Sequence, residues 1–388
     1  MEAHPAAAAY GSTPEQRRWM EQVAESARRL LDPNIAERDR RQEFDRAGWC
    51  ALGELGLPGL TIPVQYGGRE VDPSTTLAAF EGLGYGCRDH GLTFALNAHL
   101  WGCVTPLARF GTPEQKAKYL PMLCNGTAIG ALAASERTAG SDVFSAKTTA
   151  VRRGDSYVLN GGKMFITNAP VADLFLVLAT CDAARGPFGL TMFLVEKGAP
   201  GLHVGPNLEK MGLRTAPMGE VFLEECVVPV ENRLGEMGNG MAIFNYAMEW
   251  ERGFILAAAV GAMQRALEEC VRYVKQRRQF GQPIGDFQAV AHRIVDMRMR
   301  LETARLLLYK VGWLKLHGES ARAEAAMAKL YISDAWVKNC EDALHVHGGY
   351  GYLTETQLER ELRDAIGSQF YSGTAEMQRR TIAHLMNL

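Results

Sequence analysis

No two cysteines in this 388-residue chain stand at C-x-x-C spacing; the eight fall at 50, 87, 103, 124, 181, 226, 270 and 340. That excludes the common zinc-ribbon and dithiol-exchange arrangements, and fits reduced, mostly buried thiols in a cytoplasmic protein. An apolar run of about 18 residues, the length a spanning helix needs, is missing as well. An excess of one charge is also lacking. Lys plus Arg number 42 against 44 Asp plus Glu, which gives no basic field for a nucleic acid. The opening Met1-Glu2-Ala3-His4-Pro5 and its alanines carry no basic start and no long apolar stretch of a secretory signal, and read as a frayed tail. His345 and His347 have no third ligand near them in sequence, so no metal is expected.

Several catalytic motifs are absent too. The P-loop pattern and G-x-S-x-G do not occur, and no G-x-G-x-x-G follows a strand, which removes nucleotide hydrolysis, serine-hydrolase chemistry and a Rossmann dinucleotide site. Gly235, Gly238 and Gly240 have the wrong order of spacings and read as a loop.

What is present falls into three stretches, predicting a mostly α protein with a central β domain. Residues 1–130 read as helical, with Thr13-Pro14-Glu15-Gln16 and Thr112-Pro113-Glu114-Gln115 as matching start signals. In 131–240, short runs rich in valine, threonine and aromatics (157–159, 164–167, 174–178, 191–195, 220–223) read as strands of an antiparallel sheet or small barrel, with Asn160-Gly161-Gly162 as a turn. Residues 241–388 return to helix. Val290, Ile294, Met297, Leu301, Ala304, Leu308 and Val311 form one seam, and Ala326, Leu330, Ser333, Val337, Cys340, Leu344 and His347 a second, predicting a four-helix bundle and an oligomer interface.

One acid stands out. Phe244, Ala247, Met248, Glu251, Ile255 and Ala258 share a helical stripe, which places the Glu251 carboxylate among apolar side chains. A charge is rarely buried alone, and burial raises a carboxyl pKa into a range useful for taking protons. Spacing alone leaves open that Glu251 pairs with an arginine of another helix. Glu249 and Arg252 point elsewhere around the same helix, as substrate supports or a solvated face. Elsewhere, Ser135 to Asp142 offers hydroxyls and small residues, Gly348-Gly349 and Gly373-Thr374 interrupt helices, and Arg277-Arg278 precedes a helix stop.

Taken in order, these segments resemble the acyl-CoA dehydrogenase family over nearly the whole chain. The resemblance implies a helical domain, a β domain and a C-terminal four-helix bundle, a homotetramer built as a dimer of dimers, and FAD as cofactor. It matches Leu132, Ala134, Ser135 and Ser141 to the loop along the flavin and Phe165-Ile166-Thr167 to the second flavin strand. Arg277, Gln279, Phe280 and Gln288 match positions reaching the FAD of a neighbouring subunit. His345, Val346, Gly348 and Gly349, with Gly373 and Thr374, match the remaining cofactor segments. Ser141, Glu249, Arg252 and Ser372 are the implied substrate contacts.

The departures are informative. Ser372 stands where the family commonly has its catalytic glutamate, and a hydroxyl cannot replace that base at neutral pH. The branch that includes isovaleryl-CoA dehydrogenase instead carries its glutamate before an arginine on the first bundle helix, as Glu251-Arg252 does here. Arg137, Phe165, His345 and His347 also depart from the usual residues. Within the family, Arg88 to Phe94, Ala98-His99-Leu100, Phe165 to Pro170, Glu249 to Glu251 and Ser368 to Thr374 look like the biosynthetic branch that oxidises prolyl groups on peptidyl carrier proteins. The implied reaction is α,β-dehydrogenation of an acyl thioester on a carrier protein or CoA, with an electron-transfer flavoprotein or oxygen as acceptor. A short- or branched-chain acyl-CoA dehydrogenase, and a flavin oxidase or monooxygenase on the same fold, are the alternatives.

Overall fold

The computed structural model describes residues 13–31 and 34–388; the expected frayed start lies outside them. Seven helices open the described chain: α1 (Pro14–Leu30), α2 (Ile35–Arg41), α3 (Arg46–Glu54), α4 (Pro73–Gly86), α5 (His90–His99), α6 (Thr105–Phe110) and α7 (Pro113–Cys124). Both expected helix starts are capping boxes. Thr13 Oγ1 accepts from Gln16 N at 3.2 Å while Gln16 Oε1 accepts from Thr13 N at 2.9 Å, and Thr112 with Gln115 repeats this at 3.2 and 3.0 Å. Each pair satisfies two orphan N–H groups. Between α5 and α6 the chain widens into a π turn at Leu100–Val104.

Next come β1 (Gly130–Ala133), β2 (Thr149–Arg153), β3 (Ser156–Thr167), β4 (Leu174–Thr180), β5 (Leu190–Glu196), β6 (Leu202–Val204), β7 (Met218–Pro229) and β8 (Arg233–Leu234). They form one sheet ordered β6-β7-β3-β2-β4-β5-β8, with β1 paired to β4. Most of the pairing is antiparallel, as expected, but β1 runs parallel to β4 over four residue pairs and β2 touches β4 in the same sense. Strands β4 and β5 are buried on both faces because alternate residues enter different cores. Leu174, Leu176, Leu178, Leu190, Met192 and Leu194 join the helical core; Phe175, Val177, Ala179, Phe193 and Val195 fill a second core behind the sheet. The period of two is what permits this division.

Asn160-Gly161-Gly162 is not the expected turn: β3 runs straight through it, with a register irregularity between Leu159 and Gly161. A Cβ at Gly161 would lie 2.5 Å from Thr148 Oγ1, so glycine here serves a close approach within the strand.

The chain then returns to helix in α8 (Gly240–Phe254) and α9 (Ala257–Gln276). A short hairpin follows, β9 (Arg278–Gln279) with β10 (Gln282–Pro283), then α10 (Gln288–Leu316), α11 (Arg322–His347), α12 (Leu358–Gly367) and α13 (Ala375–Leu385). The expected stripe through Ala258 spans a break, since α8 ends before Ile255 and Ala258 belongs to α9. The seam on α10 is buried from Met297 to Val311, while Val290 and Ile294 are half-buried. On α11 the expected seam is buried at Ala326, Ser333, Val337 and Cys340 and half-buried at Leu330, Leu344 and His347, while the helix also buries Ala325, Ala328, Lys329, Ile332, Trp336 and Asn339. It is central, packed by α8, α9, α10, α12 and α13. Among the described residues, no helix is long and apolar enough to cross a membrane. Six of the eight cysteines are buried and all are free thiols.

Candidate active site

The helical and β layers and the bundle meet around a cavity of about 630 Å³, within the size range of ligand sites. Its walls come from α5 (Phe94, Ala98), β1 and the loop after it (Leu132, Ala134, Ser135, Ser141), the end of β3 (Phe165, Ile166, Thr167), the 210–218 loop, α8 (Phe244, Met248, Glu251, Arg252) and the α12–α13 link (Tyr371 to Thr374). Glu251 is the only carboxylate among the lining residues.

Glu251 is 9% exposed. Among the described residues no arginine of another helix pairs with it; Ser372 Oγ donates to its Oε1 at 2.5 Å. Burial raises the carboxyl pKa, opposed by the Ser372 hydrogen bond and by the charges of Arg252 and Lys329. The acid therefore stands above the usual carboxylate range without being neutralised by a tight ion pair. Arg252 also lines the cavity, and its Nε donates to the Ser372 carbonyl at 3.2 Å. Gln378 Nε2 donates to both the Ser372 and Gly373 carbonyls, at 3.1 and 2.9 Å. Ser372 adopts a left-handed backbone, φ 57°, a conformation a non-glycine residue holds only where its surroundings fix it. Among the described residues its N–H donates to no acceptor, leaving a donor beside the carboxylate.

The β wall is held by a buried ion pair. Lys163, 1% exposed, donates to Glu136 Oε1 at 2.8 Å and to the Ala134 carbonyl at 3.1 Å. Glu136 also accepts from Lys147 N at 2.7 Å, Thr148 N at 3.0 Å and the Thr148 hydroxyl at 2.5 Å. Burial pushes the Glu136 carboxyl up, but Lys163 and these donors outweigh it and hold it at about 2. The 135–142 loop is thereby tied to β3. A bulge between Lys163 and Ile166 turns Phe165 to φ 60° and leaves its ring exposed on the cavity wall. Asn168 closes the strand, its amide donating to the carbonyls of Ala95 at 3.0 Å and Gly130 at 3.3 Å. His99 fastens α5 to β1: Gly130 N donates to its Nδ1 at 2.8 Å, and its Nε2 meets the Leu123 carbonyl at 3.1 Å. Burial drives its pKa down to about 4, so the ring is neutral.

The structure thus brings Glu251, Leu132, Ala134, Ser135, Ser141, Phe165, Ile166, Thr167, Arg252, Ser372, Gly373 and Thr374 to one cavity. Arg277, Gln279, His345, Val346, Gly348 and Gly349 line a different one of about 490 Å³ at the end of α11. Phe280, 94% exposed, packs against Phe287, and Gln288 is exposed at the start of α10. Glu249, expected as a substrate contact, lies outside the lining of this cavity and pairs with Lys315, whose ammonium also lies over the Trp250 ring. Glu249 falls one position past Met248 and two before Glu251, about 100° round the helix from the former, which turns it off the stripe and toward α10. Sequence reasoning missed Lys163, Lys329 and Gln378, and also Gly102, where a Cβ would lie 3.7 Å from Glu251 Oε2. A buried lysine carries no pattern, because the same residue type on a helix or strand ordinarily faces water.

Both cavities suit an FAD. In the first, hydroxyls, backbone donors and an aromatic ring surround space containing one carboxylate, a donor set for a polar-edged planar ring. In the second, Arg277 and two histidines meet no acidic lining residue, and a Cβ at Gly348 or Gly349 would touch nothing within 4 Å, leaving room and positive charge for a diphosphate.

Family comparison gives the same sense to this arrangement. The acyl-CoA dehydrogenase N-terminal, middle and C-terminal domain models match residues 13–127, 131–226 and 238–386. An L-prolyl-(peptidyl-carrier protein) dehydrogenase of Pseudomonas fluorescens is 43% identical over 89% of this chain and 91% of its own. A protein of the same name from a Serratia species is 41% identical over 92% and 93%. Among solved structures, the prolyl acyl carrier protein oxidase AnaB superposes with a TM-score of 0.96 at 52% identity, covering 97% of this chain and all of that one. PigA with FAD and proline superposes at 0.95 and 39% identity, over 98% and 99%. With three domain models matched in order and an acid set in the cavity they enclose, this chain belongs to the acyl-CoA dehydrogenase family.

Proposed function

We propose that this protein is an FAD-dependent dehydrogenase that introduces an α,β-double bond into a prolyl thioester borne on a carrier protein. The observation that carries this reading is the Glu251 carboxyl, buried at the cavity with a hydroxyl on it and no ion-pair partner within 4 Å among the described residues. The names of the relatives and of the AnaB and PigA structures support the prolyl group and the carrier.

In this reading FAD, when bound, supplies the two-electron acceptor for the β hydrogen. Ser135, Ser141, Phe165 and Thr167 hold its ring system, with Leu132, Ala134, Ile166, Gly373 and Thr374. Glu251 takes the α proton. Abstraction next to a thioester places negative charge on the carbonyl oxygen, and the free Ser372 N–H is a donor for it. Arg252 and Gln378 hold the Ser372 carbonyl, so that donor is fixed before the substrate arrives. Burial raises the base, and the apolar wall of Phe94, Met248 and Tyr371 keeps water from it. Arg277, Gln279, Phe280 and Gln288, with His345, Val346, Gly348 and Gly349, serve the diphosphate and adenosine of an FAD across a subunit contact in a homotetramer. The exposure of Phe280 and the separation of the two cavities support this division. A cytoplasmic location fits the free thiols.

A second reading concerns the acceptor: the similarity to AnaB, a prolyl acyl carrier protein oxidase, favours oxygen over an electron-transfer flavoprotein. The experiment is anaerobic flavin bleaching with carrier-loaded prolyl and short acyl groups beside CoA thioesters, followed by admission of air. Bleaching by the prolyl carrier alone supports the proposal, and preference for a CoA thioester overturns it. Fast reoxidation with one hydrogen peroxide per turnover assigns oxygen as acceptor.

A further inference from the structure

Lys329, the eighth of the 26 residues of α11, is 0% exposed and touches no reacting atom in the reaction as described so far. An ammonium is taken out of water only where something compensates it. Among the described residues no carboxylate lies within 4 Å of it to form an ion pair; its Nζ donates to the Gly373 carbonyl at 2.8 Å and stands 5.8 Å from the Tyr371 ring centroid. Both Ser372 and Gly373 are left-handed, φ 57° and 88°. Their two carbonyls receive donors from three helices: Arg252 of α8, Gln378 of α13 and Lys329 of α11. Lys329 is the donor from the central helix, and like Gln378 it is wholly buried.

We propose that Lys329 is a positioning residue for Glu251: its grip on the Gly373 carbonyl keeps the Ser372 hydroxyl seated on the carboxylate. The charge of the same ammonium favours the ionised carboxyl. The proposal rests on Glu251 being the base. The groups around the carboxylate are few. Arg252 lies on its own helix, Lys329 comes from α11, and Ser372 and Tyr371 from the α12–α13 link. The facing π turn and β1 present the uncharged Gly102 and Leu132. Around Lys329 itself stand Arg252, Asp334, Glu251 and Glu376. Burial and Arg252 bring the Lys329 pKa down to about 8, which leaves the ammonium charged at neutral pH.

Lys329→Met, Lys329→Gln and Lys329→Arg separate seating from charge. Each is purified with FAD and read by single-turnover anaerobic bleaching across pH, by binding of a non-oxidisable thioether analogue, and by melting temperature. Lys329→Met is expected to lower the limiting bleaching rate at least tenfold with analogue binding unchanged, and to move the acid limb of the profile to higher pH. Lys329→Arg restores the limb, and Lys329→Gln, which keeps a donor without charge, restores part of the rate but not the limb. A wild-type rate and profile in Lys329→Met overturns the proposal. So does equal impairment of Met and Arg variants, or loss of FAD from all three, since either assigns Lys329 to folding alone. Normal bleaching in Glu251→Gln would instead remove the base itself, a failure distinct from these.

Discussion

The Ser372 hydroxyl donates to Glu251 Oε1 at 2.5 Å, across 121 positions of the chain. Because that bond favours the ionised carboxyl, Ser372→Ala is expected to raise the Glu251 pKa further. A base acts only when ionised, so activity is present above its pKa and lost as pH falls through it. The variant should therefore lose activity at a higher pH than the wild type while matching it more closely in alkaline buffer. The pH profile of the bleaching rate measures this, and an unmoved acid limb would reject the coupling.

Glu251→Gln removes the base and nearly nothing else. A positioned acid–base group contributes about 10²–10⁴-fold to rate, and a loss of that order is expected, with FAD absorbance retained. Bleaching at the wild-type rate would remove Glu251 from the chemistry.

Glu249→Gln is expected to leave the bleaching rate within about twofold, because its carboxylate is engaged with Lys315 outside the cavity. The pair is largely covered, its side chains 11% and 21% exposed, so any effect of the substitution falls on the stability of the α8–α10 contact and not on the chemistry. A large change in substrate half-saturation would return Glu249 to the substrate site.

Lys163→Met leaves the Glu136 carboxylate buried without its cation, at a cost of about 3–5 kcal/mol. Thermal or urea unfolding measures it. In the wild type, Glu136 is held at about 2 against an ordinary 4.5, so its contribution is complete above the higher value and is lost as pH falls toward the lower one. Acid sensitivity in that window should be weaker in Glu136→Gln, once its lower starting stability is subtracted.

Gly102→Ala tests the space beside the base. The added Cβ would lie 3.1 Å from Leu132 Cβ and 3.7 Å from Glu251 Oε2, so Leu132 must give way. Overpacking of this kind costs about 1–3 kcal/mol, and a raised half-saturation for the prolyl carrier with FAD retained is expected.

Much of this arrangement was legible from residue pattern. The two Thr-Pro-Glu-Gln starts carry their hydrogen bonds in their spacing, and the apolar stripe through Glu251 marks a buried acid by pattern alone. What stayed hidden depends on pairing in space. The Gly130–Ala133 strand is too short and alanine-rich to show β preference, so its parallel pairing with β4 has no sequence signal. Asn160-Gly161-Gly162 has turn composition, yet the approach of Thr148 makes glycine a requirement of the strand. Lys163 and Lys329 look like surface lysines, since only their partners, Glu136 and the Gly373 carbonyl, explain their burial.

The cavity walls come from residues as far apart as Phe94 and Met377, and no single stretch encloses it. Bound flavin colour should accordingly behave as an all-or-none gauge of assembly. Unfolding of any one of these segments should release the flavin, and added ligand should raise the melting temperature of helices it never touches, by mass action on the joined state.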